Sequence, residues 1–161
     1  MLKNFAFKLL LAGCTCLAEL SLPADPAKSP QPAIYDEEAD GSQQITDALA
    51  TAQTGHKRVL LMFGANWCGW CHRLHTLFGT DKEINDTLKA DFVLVLIDVN
   101  KGHNKAVNDK YSNPIQHGLP VLVVLDTDGR QLTTKDTGEL EEGDHHSPQK
   151  VLAFLKAWVR G

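Results

Sequence analysis

The sequence is short of several things, and each shortage removes a class of protein. No apolar run in its 161 residues reaches the roughly 18 needed to cross a bilayer as a helix, so a helix-spanning membrane protein is not expected. Basic charge is not in excess. Sixteen Lys and Arg stand against 20 Asp and Glu, a formal net charge of -4, and the basic residues are scattered. That pattern offers no footprint to a phosphate backbone, and nucleic-acid binding is not expected. Internal repeats are absent. Cysteine is scarce at four residues, whereas small exported domains held by disulfide frameworks use many, tying distant segments together. Methionine is scarcer still, with only Met62 after Met1. What remains, at 43% hydrophobic and 22% charged residues, is a globular composition of a length that suits one domain and not two.

The N-terminus reads as an export signal over residues 1–18. Lys3 and Lys8 give a basic start, Leu9 to Ala18 is apolar, and Cys16-Leu17-Ala18 supplies small residues at cleavage spacing. A second cleavage stays open, because Leu11-Ala12-Gly13-Cys14 resembles the lipobox of bacterial lipoproteins, in which the signal is cut before the Cys and its thiol carries lipid. Lys8 leaves five apolar residues before Cys14 in that reading. A buried N-terminal helix of the domain is the third alternative. Prolines at 23, 26, 30 and 32 make residues 19–33 an extended tether, followed by a domain over residues 34–161. The expected location is the periplasm or cell envelope, with a membrane reached only through lipid on Cys14.

Within the domain, strand-like and helix-like segments alternate. Ser42 is a candidate cap for a helix to about Gln53, with Gly55 ending it. Arg58 to Gly64 and Val121 to Leu125 are continuous apolar runs of the kind found in strands covered on both faces, as is Phe92 to Val99. A helix carrying Leu74, Leu77 and Phe78 inward is expected after Cys71. Asp81 can cap a short helix to about Lys89, and His103 to Tyr111 is a further helical candidate. Arg130 to Thr134 is expected as an edge strand after the Asp128-Gly129 turn. The acidic, His-bearing stretch Gly138 to Ser147 is expected as a solvated loop. Ser147-Pro148 opens a last helix with a capping hydroxyl and proline at its first position, and Val151, Leu152, Leu155, Trp158 and Val159 form its apolar stripe. This order argues an α/β sandwich.

The exported domain keeps one cysteine pair, Cys68 and Cys71, in VLLMFGANWCGWCHRLH. A loop that short stabilises little, so the pair is better explained by chemistry. It lies where a buried strand gives way to a helix. Unpaired N–H groups and the macrodipole at a helix N-terminus stabilise negative charge on the first sulfur, and the thiolate is the attacking species. Spacing of one helical turn lets the second sulfur resolve a mixed disulfide formed at the first. His72 and Arg73 add positive charge nearby.

This segment, with His117-Gly118-Leu119-Pro120 before a strand, resembles the thioredoxin superfamily over roughly residues 42–160, and within it the exported bacterial proteins carrying W-C-x-W-C-H. The resemblance implies a three-layer sandwich with a central mixed β-sheet flanked by helices. It implies Cys68 as exposed nucleophile, Cys71 as buried resolving cysteine, and Trp67, Gly69 and Trp70 as the surrounding surface, with His72 in support. Pro120 is then the family's cis-proline, and Leu119 presents backbone groups to a client peptide. The implied activity is thiol–disulfide exchange with protein clients, reset by a redox donor or acceptor protein and needing no organic cofactor. Two positions depart from the family. Thioredoxin proper has a buried Asp six residues before the first Cys and a buried Lys on the neighbouring strand; here the places fall to Met62 and about Leu94. Water, His72 or His75 is left to move the proton. Gly-Pro between the cysteines is replaced by Gly69-Trp70.

Other chemistries fit the same residues. Cys68-Gly69-Trp70-Cys71-His72 satisfies the C-x-x-C-H haem-attachment pattern, although Met62 is the sole methionine left as an axial ligand and sits in an expected buried strand. Cys68, Cys71, His72 and His75 are acceptable zinc ligands, with His145 and His146 as extras, but a structural zinc site more often draws on two separated pairs. A binding module that keeps the fold without turnover is the remaining alternative.

Overall fold

A computed structural model of the chain describes residues 31–160, so the expected export signal, Cys14, Cys16 and most of the Pro-rich tether lie outside the described residues. Four strands form a mixed sheet. Strand β1 (Arg58–Gly64) runs parallel to β2 (Phe92–Asp98) on one side and antiparallel to β3 (Val121–Leu125) on the other, and β3 is antiparallel to β4 (Gln131–Asp136), giving the order β2-β1-β3-β4. Of the three strands read as continuous apolar runs, β1 and β3 end at the expected residues and occupy the sheet centre, where both faces are covered. β2 stops at Asp98 instead of Val99 and, at the sheet edge, is only partly buried. β4 is the expected edge strand, displaced by one residue at its start and two at its end.

Alternation along the strands sorts the core into two layers. Val59, Leu61 and Phe63 of β1, with Val121, Val123 and Leu125 of β3, meet helix α1 (Gly41–Gly55) and helix α4 (Lys105–Lys110) through Ile45, Ala48, Ala52 and Val107. Leu60 and Met62, with Leu122 and Val124, face the opposite layer of α2 (Gly69–Thr80), α3 (Lys82–Asp91) and α5 (Pro148–Ala157) through Leu74, Phe78, Ile84, Val151 and Leu155. The result is the expected three-layer α/β sandwich. Among the described residues no helix is long and apolar enough to cross a membrane.

Several local expectations need correction. The cap of α1 is Asp40, not Ser42: the carboxylate accepts the N–H groups of Ser42 at 2.8 Å and Gln43 at 3.3 Å, a reach that puts the helix start two residues earlier. Asp81 does cap α3, accepting from Ile84 N–H at 3.0 Å. The stretch from His103 to Tyr111 contracts to α4 because Asn104 takes a left-handed backbone conformation. Ser147 precedes Pro148 as expected, but its hydroxyl donates to Gln149 Oε1 at 3.2 Å rather than capping the helix. The stretch expected as a solvated loop forms a small hairpin, β5 (Glu141–Glu142) with β6 (His145–His146), that packs on α2 and buries His146 to 3% exposure.

Candidate active site

One end of the sheet gathers the chemistry. Gly64 ends β1 and pairs in register with Asp98 at the end of β2, while Phe63 pairs with Val121, so Leu119-Pro120 enters β3 at the same end. From Gly64 the chain turns, with Cys68 N–H donating to Ala65 C=O at 3.0 Å, and Cys68 becomes the cap of α2. Its extended backbone lets the sulfur look back along the helix axis, where Cys71 N–H donates to Cys68 Sγ at 3.1 Å. Cys68 and Cys71 are joined by a disulfide across this first turn, with Cα atoms 5.2 Å apart. Cys68, expected as the exposed nucleophile, is buried in the disulfide and keeps only 5% of its surface, while Cys71 keeps none. On reduction the same N–H group and the helix dipole favour charge on Cys68.

The surroundings divide into an open and a closed side. Trp67 is 69% exposed, its indole Nε1–H donating to Asn100 Oδ1 at 3.1 Å. A Cβ at Gly69 would meet nothing within 4 Å, so the surface at that position is open. Trp70 is held between the Arg73 guanidinium, 4.6 Å from its ring centre, and the ring of His146, edge-on at 5.2 Å. Beside it lies a cleft of about 350 Å³ lined by Arg73, Thr76, Leu77, His146 and Pro148. The Leu119–Pro120 bond is cis, Gly118 supplies the positive φ of 95° before it, and Thr137 Oγ1 donates to the Pro120 carbonyl.

His72, expected to add charge beside the sulfurs, is buried and donates from Nε2 to the Asn66 carbonyl at 2.7 Å. It ties α2 to the active-site loop. Arg73 lies over Trp70. Burial, followed by the neighbouring Arg73 and His145, pushes the His146 imidazole down to about 4. Burial, followed by the charge of His72, also holds His75 below its usual value. Met62, in the place of the family's acid, is fully buried on the cysteine face, and Leu94 packs against the same layer. Among the described residues no group of three or more His, Cys, Asp or Glu side chains has the geometry of a metal site.

Sequence reasoning missed Tyr35, Asn66 and the burial of Asp98. Asn66 Oδ1 accepts the N–H groups of Ile34 and Tyr35, both at 2.9 Å, while its Nδ2 donates to the Tyr35 carbonyl at 3.0 Å, clamping that segment to the active-site loop. The one signal available was Gly64, since glycine ending a buried strand marks a close approach.

A sandwich whose central strand leads into a helix opened by a disulfide, with a cis-proline entering the adjacent strand, is the arrangement of thiol–disulfide redox domains. A family model described as thioredoxin-like matches residues 40–127, and the chain belongs to that family. It is similar to the disulphide isomerase from Xylella fastidiosa Temecula1, at 35% identity and TM-score 0.70, covering 78% of this chain and 96% of that one. It is also 35% identical over 95 residues to the thiol:disulfide interchange protein DsbD of Actinobacillus pleuropneumoniae serotype 5b (strain L20); the match takes in 56% of this chain and only 15% of that protein. The oxidised C-terminal domain of DsbD from Neisseria meningitidis shares the fold at 20% identity and TM-score 0.51, with 73% and 96% of the two chains covered. Family membership, these neighbours and a disulfide at the C-x-x-C position support a thiol–disulfide oxidoreductase.

Proposed function

We propose that the protein is an exported oxidoreductase that exchanges the Cys68–Cys71 dithiol and disulfide with protein clients through a mixed disulfide at Cys68. The observation that carries this reading is the asymmetry of the pair: Cys68, at a helix N-terminus, keeps 5% of its surface exposed, whereas Cys71 keeps none. In the reducing direction the Cys68 thiolate attacks a client disulfide, forms a Cys68–client S–S bond and expels one client thiolate. Cys71 then attacks Cys68 Sγ, the Cys68–client bond breaks, and its electron pair leaves on the second client sulfur. The dithiol is oxidised and the client reduced; the opposite direction reverses each step. Trp67, Gly69 and Trp70 form the rim, Leu119 and Pro120 the adjoining backbone for an extended client segment, and His72 the brace beneath. The redox carrier is the dithiol itself. A second protein resets it, and the exchange takes place in the periplasm or cell envelope, with the protein free or tethered by lipid at Cys14, a location that the export signal read over residues 1–18 supports.

Replacing the resolving sulfur tests the reading. Cys71→Ala is expected to accumulate covalent complexes with envelope proteins that dissolve on adding dithiothreitol, and Cys68→Ser to accumulate none. Equal capture by both variants, or none by Cys71→Ala, would overturn it.

A further inference from the structure

Turnover sets a problem in the interior, and the inference drawn from it rests on the oxidoreductase reading above. Cys71 must become a thiolate to attack, yet it is fully enclosed, so its proton has to leave through the protein. The position expected to hold an acid is Met62, and His72 is engaged with a backbone carbonyl.

Gly64 marks what stands next to the sulfur. A Cβ placed there would come within 2.2 Å of the Tyr35 hydroxyl and 2.6 Å of Cys71 Sγ, so the absence of that carbon leaves room for both groups at the end of β1. Tyr35 is buried, and its hydroxyl has no hydrogen-bond partner among the described residues. Across the sheet from Gly64 is a second such group. Asp98 is 1% exposed; its Oδ1 accepts Asn100 N–H at 3.0 Å, and its Oδ2 has no partner among the described residues. A buried polar atom without a partner is costly, and two near one glycine beside a reactive sulfur need a reason to persist. Asp98 also borders a cleft of about 480 Å³ shared with Glu37, Asn100, Lys101 and His103, so it lies between the enclosed sulfur and water.

We propose that Tyr35 and Asp98 are the proton relay of Cys71. In the disulfide form Tyr35 Oη and Asp98 Oδ2 are not hydrogen-bonded to each other. As Cys71 attacks, the two draw together, its proton passes to Tyr35 Oη and the phenolic proton moves to the Asp98 carboxylate, so that Tyr35 is neutral before and after and Asp98 releases the proton to the cleft. The reverse reaction returns a proton to Cys71 along the same line. Burial first, and then the charge of Glu37, raises Asp98 above an ordinary carboxylate, with Asn100 N–H and His103 opposing, which suits a carboxylate that must accept a proton. Burial and the charge of Asp98 raise Tyr35, so the phenol stays protonated between turnovers.

The test uses 5,5′-dithiobis(2-nitrobenzoate) with the reduced protein. Attack by Cys68 releases one thionitrobenzoate, and resolution by Cys71 releases a second, so the two rates are read separately across pH. Tyr35→Phe and Asp98→Asn are each expected to slow the second release at neutral pH by at least about tenfold and to displace its pH profile to the alkaline side. The double variant should be no slower than the slower single one, because both act in one relay. Profiles superimposable on the unmodified protein would overturn the relay. A second release missing from the unmodified protein would instead overturn the oxidoreductase reading. Tyr35→Phe removes one hydroxyl without changing the shape of the packing, so it carries the test alone if Asp98→Asn does not fold.

Discussion

The two faces of the sheet are built from alternate residues of the same strands and are equally dry, but their contents differ in kind. Toward α1 and α4, Val59, Leu61, Phe63, Val121 and Val123 pack against Ile45, Ala48 and Ala52, and the layer holds no cysteine, although the Tyr111 hydroxyl is buried at its margin. Toward α2, the intervening residues Leu60, Met62, Leu122 and Val124 share their layer with Cys68, Cys71 and Tyr35. β1 even ends differently on the two sides: Phe63 fills one, while Gly64 leaves the other open for a sulfur and a phenol. One strand thus performs two jobs by parity. The apolar face supplies cohesion, which lets the other face carry groups that stability alone would not select.

Four substitutions probe that division, in falling order of effect. Cys68→Ser is expected to abolish disulfide exchange while leaving the thermal transition of the reduced protein nearly unmoved, as read by insulin reduction and by circular dichroism. Phe63→Ala should do the reverse. Emptying a fully buried aromatic site costs about 3 to 5 kcal/mol in denaturant titrations, while the exchange rate per folded molecule is retained. A changed rate in the folded fraction would show that the faces are not independent.

The hairpin beside Trp70 gives the third. His146 is held neutral by burial, with a value of about 4 against an ordinary 6.5, so the unfolded chain binds the extra proton as pH falls between those values. Stability present above pH 6.5 is therefore lost on acidification, at up to about 1.4 kcal/mol per pH unit. His146→Phe should flatten the dependence of the unfolding midpoint over that window, and an unchanged slope would mean the imidazole is not the source. The smallest effect belongs to Asp40→Ala, which removes the cap of α1 on the apolar side. A loss of about 1 kcal/mol is expected, with no change in exchange chemistry.

The same contrast accounts for what was legible beforehand. The ends of β1 and β3 could be read because a strand covered on both faces leaves an unbroken apolar run, and α2 because the cysteine spacing marked its first turn. Pro120 was legible as a cis-proline only through family resemblance, and it is cis. Asp40 and Ser42 are both good caps two residues apart, and the choice depends on which side chain reaches the free N–H groups. His146 was hidden by the acids around it, Glu139, Glu141, Glu142 and Asp144, whose exposure says nothing about the one ring turned inward. Tyr35 lies in a stretch with no periodicity, and only the Asn66 clamp brings it to the sulfur. Asp98 faces Gly64 through strand register, a non-local fact.

The account stands on Cys68 and Cys71 forming a reversible redox couple, and an equilibrium titration of the domain against glutathione or dithiothreitol, read by thiol trapping, tests that directly. The predicted result is a single two-electron transition that Cys68→Ser abolishes. A midpoint near or below about -250 mV would assign it to reduction of clients and one near about -120 mV to their oxidation. A pair that forms no reversible disulfide at any poise would contradict the account.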